Sequence, residues 1–346
     1  MTQYELPTTD DRAVWDLWLS INYLPAATVS DELGIFKALD EAPASAAELA
    51  ERMSFDLRAT VAILRLLGAL DLLSQYEGRY HLTDTSRLYF LREGPFYWGH
   101  MLGTGQPQHA RFRDALLGRS PEGRPGVAPH EPSKTGGSID GWATGDIDPE
   151  RARRVAAAMQ SHSLGAAVAL ARNGDFTGVD RLLDVGGGSG CFAIALAQRY
   201  TDLRCDVMEL GTMCEVAQEY IRDGGVEDRV GTVTVDMFRE PWPRGYDAML
   251  FSNVFHDWNF DTCSWLASQA YEALPSGGRI CLHEMLLDDN GDGPLTAVSF
   301  SVLMLGTQGQ QFTFGELKGL LEGAGFVRVD VRRTSVYYSL VTGFKG

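Results

Sequence analysis

The feature that most narrows the fold lies at residues 182–190, where Leu182-Leu183-Asp184-Val185 runs straight into Gly186-Gly187-Gly188-Ser189-Gly190 and then into the helix-forming stretch CFAIALAQRY. An apolar strand, a glycine turn and a helix in that order make the first βα unit of a parallel sheet. Glycine lets the backbone turn sharply and approach a ligand closely, and the helix behind it offers unpaired N–H groups at its start. From this point strands and helices alternate through LRCDVMEL, RVGTVTVDMF, YDAMLFSNVF, GGRICLHEMLL and FVRVDVRRTSVYYSLVTGFK. The C-terminal half therefore reads as an α/β sheet with helices on both faces and its last strands antiparallel.

The 346 residues exceed the usual size of one domain, and the first hundred follow a different pattern. Apolar residues between 13 and 41 recur at helical spacing, which predicts two apolar-faced helices. Ser45 then caps a short helix, a turn passes through Ser54 to Asp56, a second helix ends near Gly68, and a hairpin turns at Glu77-Gly78. Helix, turn, helix and hairpin make a winged helix.

Charge decides against the obvious use of that motif. Residues 1–100 hold 8 Lys/Arg against 15 Asp/Glu, and the whole chain holds 30 against 46 for a net charge of -16. Phosphate contact needs a basic face, so nucleic acid is not an expected partner. The apolar first helices want a partner of their own kind, which predicts a homodimer joined through residues 1–75. The expected domains are a winged-helix dimerisation domain at 1–110, a linker and pocket loop at 111–150, rich in Gly, Pro and Ser from Gly118 to Asp148, and a Rossmann-like catalytic domain at 151–346. Five scattered cysteines, an acidic N-terminus and no long apolar run predict a cytoplasmic protein away from membranes.

A glycine turn alone suits S-adenosylmethionine, a dinucleotide or no ligand at all; the acids near it discriminate. Glu209 ends the next strand, where a carboxylate can take two hydrogen bonds from ribose hydroxyls. Asp236-Met237 ends the third strand, where an acid can receive the adenine amino group and a thioether can cover the ring. Asp184 at the first turn opposes a pyrophosphate yet suits a sulfonium cation. The set favours S-adenosylmethionine over NAD.

With these residues in view, the whole chain resembles the bacterial and plant O-methyltransferase family that includes acetylserotonin and caffeate O-methyltransferases. The resemblance rests on DVGGGSG, DMF (236–238), NVFHDW (253–258), LPSGGRICLHE (274–284) and FTFGELKGLLEGAGF (312–326). It implies that Gly186, Gly188, Glu209, Asp236, Met237 and Ser252 line the cofactor, with Ser163 near its carboxylate and Trp258 against the adenine. It also implies a homodimer with intertwined N-terminal domains.

His256-Asp257-Trp258 follows the strand YDAMLFSNVF at the carboxyl end of the sheet, where α/β ligands bind. His256 is the candidate general base. The resemblance implies two glutamates to hold it: Glu284 matches one, but Gln311 stands where the family carries the other. An amide stabilises an imidazolium less well than a carboxylate does. His256, Asp257 and Gln308, with Gln311 as substitute, instead offer an N/O ligand set for a divalent or trivalent metal, zinc or iron. That pattern is similar to relatives that methylate C3 of 2-oxo acids, and metal-dependent C3 methylation is the favoured expectation; metal-free O-methylation of a phenolic or other hydroxylated natural product is the alternative. Trp98, Arg111, Met159, His162 and Met304, with Gln311, are the candidate acceptor residues, alongside Met101 and Phe300.

Overall fold

The computed structural model describes residues 8–93, 97, 99–102, 107–119 and 148–346. They fall into two compact units, one drawn from Met1–Asp11, Gly126–Leu286 and Phe314–Gly346, the other from Arg12–Pro125 and Leu287–Thr313.

The second unit begins with α1 (Arg12–Leu19), a 3-10 turn (Ser20–Asn22), α2 (Tyr23–Glu32) and α3 (Ile35–Glu41). One helix more than expected arises because Gly34, at φ 79°, takes the left-handed conformation that L side chains avoid and restarts the chain as α3. Next come α4 (Ala46–Met53) and α5 (Leu57–Ala69). Ser45 Oγ accepts the Glu48 N–H at 3.3 Å while Glu48 Oε2 accepts the Ser45 N–H at 2.8 Å, a reciprocal cap that fixes where α4 starts. Asp56 caps α5 by accepting the Ala59 N–H at 2.8 Å. Strands β1 (Leu73–Tyr76) and β2 (Arg79–Leu82) pair antiparallel through a turn whose Glu77 and Gly78 both have positive φ, 49° and 73°. The winged helix predicted from the sequence is present.

The helix Leu295–Leu303 joins this unit and not the sheet, which differs from the expectation that everything after 151 forms one domain. Its sequence, LTAVSFSVL, is apolar nearly all round and most of it is buried. Phe300 packs edge-on to Trp15 with ring centres 5.8 Å apart. Asn22 Nδ2 donates to the Ser299 carbonyl at 3.2 Å, and Ser299 Oγ donates to the Leu19 carbonyl at 2.9 Å.

The first unit is a seven-stranded sheet in the order β5-β4-β3-β6-β7-β9-β8. Its strands are β3 (Arg181–Val185), β4 (Arg204–Glu209), β5 (Val230–Thr234), β6 (Ala248–Ser252), β7 (Arg279–Met285), β8 (Phe326–Arg333) and β9 (Tyr338–Lys345). Strands β5 to β7 in that order run parallel, and β9 enters antiparallel to both of its neighbours. The strand order reverses between β3 and β6, so the carboxyl ends of those strands form the crevice where such sheets take ligands. All five cysteines are free and buried. Among the described residues no helix is long and apolar enough to cross a membrane.

Candidate active site

The turn after β3 shows why glycine is required. Gly186, Gly188 and Gly190 have φ of 67°, 58° and 76°. A Cβ on Gly187 would come within 2.7 Å of the Asp184 carboxyl and 2.9 Å of Val207, whereas one on Gly188 would meet nothing within 4 Å. Close packing on one side and open space on the other make this turn a cradle.

Two carboxylates face that turn. Glu209 Oε1 accepts the Gly188 N–H at 3.3 Å and Oε2 accepts the Leu210 N–H at 2.9 Å; burial raises its pKa against the pull of those donors. Asp184 is 1% exposed, and neither of its oxygens has a hydrogen-bond partner of normal geometry. Burial pushes its carboxyl up to about 7, opposed weakly by the Ala193 N–H and reinforced by Glu209. Buried acids of this kind fit a cationic ligand and exclude a pyrophosphate, so the residues present suit S-adenosylmethionine. Ser189 Oγ donates to Gln160 Oε1 at 2.6 Å, tying the turn to the helix Pro149–Asn173. Sequence reasoning did not pick out Gln160, because nothing local marks a helical glutamine as a partner of a turn 29 residues away.

The third-strand residues are placed more indirectly. Asp236 Oδ1 caps its own turn by accepting the Phe238 N–H at 3.0 Å, and Oδ2 lies 3.5 Å from Arg239 Nη1. The Met237 carbonyl accepts from Trp242 Nε1 at 2.8 Å. Trp258 packs edge-on to Phe238 with centres 4.7 Å apart, so the tryptophan expected against an adenine sits beside the DMF turn. Ser252, at the end of β6, lies 3.0 Å through Oγ from His283 Nδ1, whose Nε2 lies 2.9 Å from Thr334 Oγ1. Burial lowers His283 to about 3, so it stays neutral. His283, on β7, was not singled out from the sequence; its signal was the strand register that puts it opposite Ser252. Ser163 is buried with Oγ 3.2 Å from His162 Nδ1.

His256 occupies a 3-10 turn, Phe255–Asp257, and is 5% exposed. Glu284, at the end of β7 and 1% exposed, accepts the Val254 and Phe255 N–H groups through Oε1 at 3.1 and 3.0 Å. Its Oε2 lies 3.1 Å from His256 Nδ1. One carboxylate therefore braces the turn and faces the ring. Burial acts to depress His256, but Glu284 and Asp257 outweigh it and its pKa lies above the ordinary value. Asp257 Oδ1 is farther off, 3.9 Å from Nε2; burial raises its pKa against the pull of His256. His162 is shifted the other way, to about 4, by burial and then by His256. The two imidazoles are thus pushed in opposite directions.

The metal expectation finds no support in the described residues. Among the described residues no group of three or more His, Cys, Asp or Glu could hold a metal ion. His256 Nδ1 lies 3.1 Å from Glu284 Oε2, and Gln311 is buried and donates its N–H to Ser301 Oγ at 2.9 Å. Two ligands and neutral amides make a poor donor set. Metal-assisted C3 methylation therefore draws no support.

Of the acceptor candidates, Met159 is 46% exposed on its helix, while Met304 is 7% exposed. Phe300 is core beneath Trp15 and Trp18. Trp98, the side chains of Met101 and Arg111, and most of the predicted 111–150 linker lie outside the described residues.

Comparison with known proteins fits this geometry. A family model for an O-methyltransferase domain matches residues 131–327, and one for an O-methyltransferase dimerisation domain matches residues 20–92. The chain is 32% identical to 3-hydroxy-5-methyl-1-naphthoate 3-O-methyltransferase of Streptomyces sahachiroi, over 86% of its own length and 84% of the relative's. It is 28% identical to the N,N-dimethyltransferase OxyT of Streptomyces rimosus, over 90% and 86%. An O-methyltransferase family 2 protein of Planctomyces limnophilus, solved in complex with apigenin, superposes with a TM-score of 0.84 at 26% identity, covering 100% of both chains.

Proposed function

The chain belongs to the O-methyltransferase family and is an S-adenosylmethionine-dependent methyltransferase of small molecules, and from that premise we propose that it methylates a phenolic hydroxyl of an aromatic natural product without a metal. The observation that carries this reading is the buried His256 held at 3.1 Å by Glu284, a base poised by a carboxylate at the crevice of the sheet. The naphthoate 3-O-methyltransferase among its relatives supports a fused aromatic acceptor.

When bound, S-adenosylmethionine supplies a methyl group on a positively charged sulfur, ready for in-line attack by a nucleophile. Every other task falls to the protein. Glu209 would hold the cofactor's ribose beside the glycine turn, and Asp184 would balance its positive charge. His256 Nε2 takes the acceptor's hydroxyl proton as the oxygen attacks, and Glu284 stabilises the imidazolium that results. His162 stays neutral and orients the acceptor through a hydrogen bond. Holding oxygen and methyl in line supplies much of the remaining rate.

The test is transfer of a labelled methyl from S-adenosylmethionine to 3-hydroxy-5-methyl-1-naphthoate in enzyme treated with a chelator, with the product assigned by NMR. Label on oxygen at full rate is expected. Label on carbon, or activity lost to the chelator and restored by metal, overturns the reading.

A further inference from the structure

Strand β7 carries His283 one residue before Glu284, and the pleat turns it to the opposite face of the sheet from that acid. His283 pairs in register with Ser252 of β6, and Leu250, two residues before Ser252, pairs with Asp184 of β3. Residues paired in register, or two apart along a strand, share a face, so Asp184, Ser252 and His283 lie together on one side. The helix Cys191–Arg199, which follows the glycine turn, covers that side. Its Ala193 N–H lies close enough to Asp184 to lower its pKa, and its Phe192 packs edge-on to the His283 ring with centres 5.4 Å apart. Ser252 therefore ends β6 between the acid of the cofactor turn and a fully buried histidine.

The ring is clamped. Tyr338 stacks on it with centres 5.1 Å apart and planes at 21°, Nδ1 lies 3.0 Å from Ser252 Oγ, and Nε2 lies 2.9 Å from Thr334 Oγ1. Thr334 is pinned in turn: its Oγ1 donates to the Tyr338 carbonyl at 3.1 Å, and its own carbonyl accepts from Asn173 Nδ2 at 2.7 Å. Burial keeps the imidazole neutral, so it has one N–H and one lone pair. A hydroxyl has a single hydrogen. Thr334 gives its hydrogen to the Tyr338 carbonyl and so receives the one on Nε2; Nδ1 is then a lone pair and takes the hydrogen of Ser252. The competing acceptor for that hydrogen, the His283 carbonyl, is farther away at 3.4 Å. Ser252 Oγ keeps only lone pairs to offer, which suits a cation and not an anion.

We propose that His283 is a positioning residue for the cofactor: the chain Ser252–His283–Thr334 turns the Ser252 hydroxyl so that it offers only lone pairs to the positively charged methionine end of S-adenosylmethionine. The cofactor half of this proposal rests on the methyltransferase reading given above; the sense of the hydrogen bonds does not.

Nitrogen NMR of the imidazoles tests the sense of the chain, and the Kd of S-adenosylmethionine tests its use. The wild-type His283 ring is expected to be neutral with its hydrogen on Nε2. Thr334→Val keeps the shape of the side chain and removes the acceptor, so the hydrogen should move towards Nδ1 and Kd should rise on the order of tenfold, although Thr334 lies across the ring from Ser252. His283→Asn keeps an acceptor near the place of Nδ1, whereas His283→Gln keeps only a group near the place of Nε2. Both should lower Tm, but Kd is expected to stay within about threefold in His283→Asn and to rise on the order of tenfold in His283→Gln. A wild-type ring with its hydrogen on Nδ1 overturns the proposal, as do equal changes of Kd in the two histidine variants. If those variants do not fold, Thr334→Val decides by tautomer and Kd together. If the wild-type protein does not bind S-adenosylmethionine, the methyltransferase reading falls and takes the cofactor half with it, while the NMR still decides the sense of the hydrogen bonds.

Discussion

Glu284 Oε2 lies 3.1 Å from His256 Nδ1, while Oε1 of the same carboxylate accepts the N–H groups of Val254 and Phe255. A single buried acid thus braces the turn that carries the histidine and raises its basicity.

The pair has a pH signature. Burial acts to depress His256, but Glu284 and then Asp257 outweigh it, so the ring titrates above the ordinary 6.5. The rate of methyl transfer falls as pH drops through that raised value, because a protonated ring accepts no proton. Glu284→Gln removes the larger upward pull, so the acidic limb of the pH–rate profile moves to lower pH and kcat falls roughly a hundredfold. A limb that stays in place contradicts the assignment. Stability has the opposite sense: the pair's contribution is full below 6.5 and is lost as pH rises through the raised folded value.

Asp184 supplies a second pH signature. Its folded pKa of about 7 lies above the ordinary 3.8, so leaving it ionised costs the cofactor-free protein stability as pH rises between those values. Asp184→Asn is therefore expected to raise Tm at pH 8 while weakening S-adenosylmethionine binding by about tenfold or more. In the wild-type protein, calorimetry near pH 7 in buffers of different ionisation enthalpy should register proton release as the cationic cofactor binds. No release, together with an unchanged Tm in the variant, counts against this role.

Adjacent glycines should fail differently. Gly187→Ala places a Cβ 2.7 Å from Asp184 and 2.9 Å from Val207, so it should lower thermal stability by about 1–3 kcal/mol. Gly188→Ala meets nothing within 4 Å but sits at φ 58°; it should cost about 1 kcal/mol of stability and remove most of the cofactor affinity. Equal effects of the two substitutions on melting and on binding would refute the cradle.

The dimerisation domain has a visible face. Val14, Leu17, Trp18, Ile21 and Leu24 are 68%, 75%, 39%, 42% and 37% exposed along α1, the 3-10 turn Ser20–Asn22 and the start of α2. Val14→Asp with Leu17→Asp should turn a dimer into a monomer by light scattering at micromolar concentration, with the helical circular dichroism retained. A double variant that stays dimeric moves the interface elsewhere.

The glycine turn, the acids that follow the strands and the capping residue Ser45 were legible in the sequence because each depends on local backbone chemistry or strand order, and the His256–Glu284 pair was legible through the family resemblance. The packing partners of the helix Leu295–Leu303 were not legible, because an apolar helix says that it is buried and not against what. The hydrogen bonds from Arg58 to the Met304, Thr307 and Gly309 carbonyls were invisible for a related reason: main-chain carbonyls carry no residue type to read. The metal inference draws no support, because two adjacent ligand types and a glutamine elsewhere in the chain are a weak sign of a coordination sphere. Gln311 in place of a glutamate led there, yet Glu284 alone already makes three contacts around the base.

The most direct test of the account is the single-turnover rate of His256→Gln saturated with S-adenosylmethionine and 3-hydroxy-5-methyl-1-naphthoate, with cofactor Kd measured on the same preparation. A fall in rate of roughly 10²–10⁴ with Kd unchanged is the predicted result. A rate within a few-fold of wild type would show that His256 is not the base.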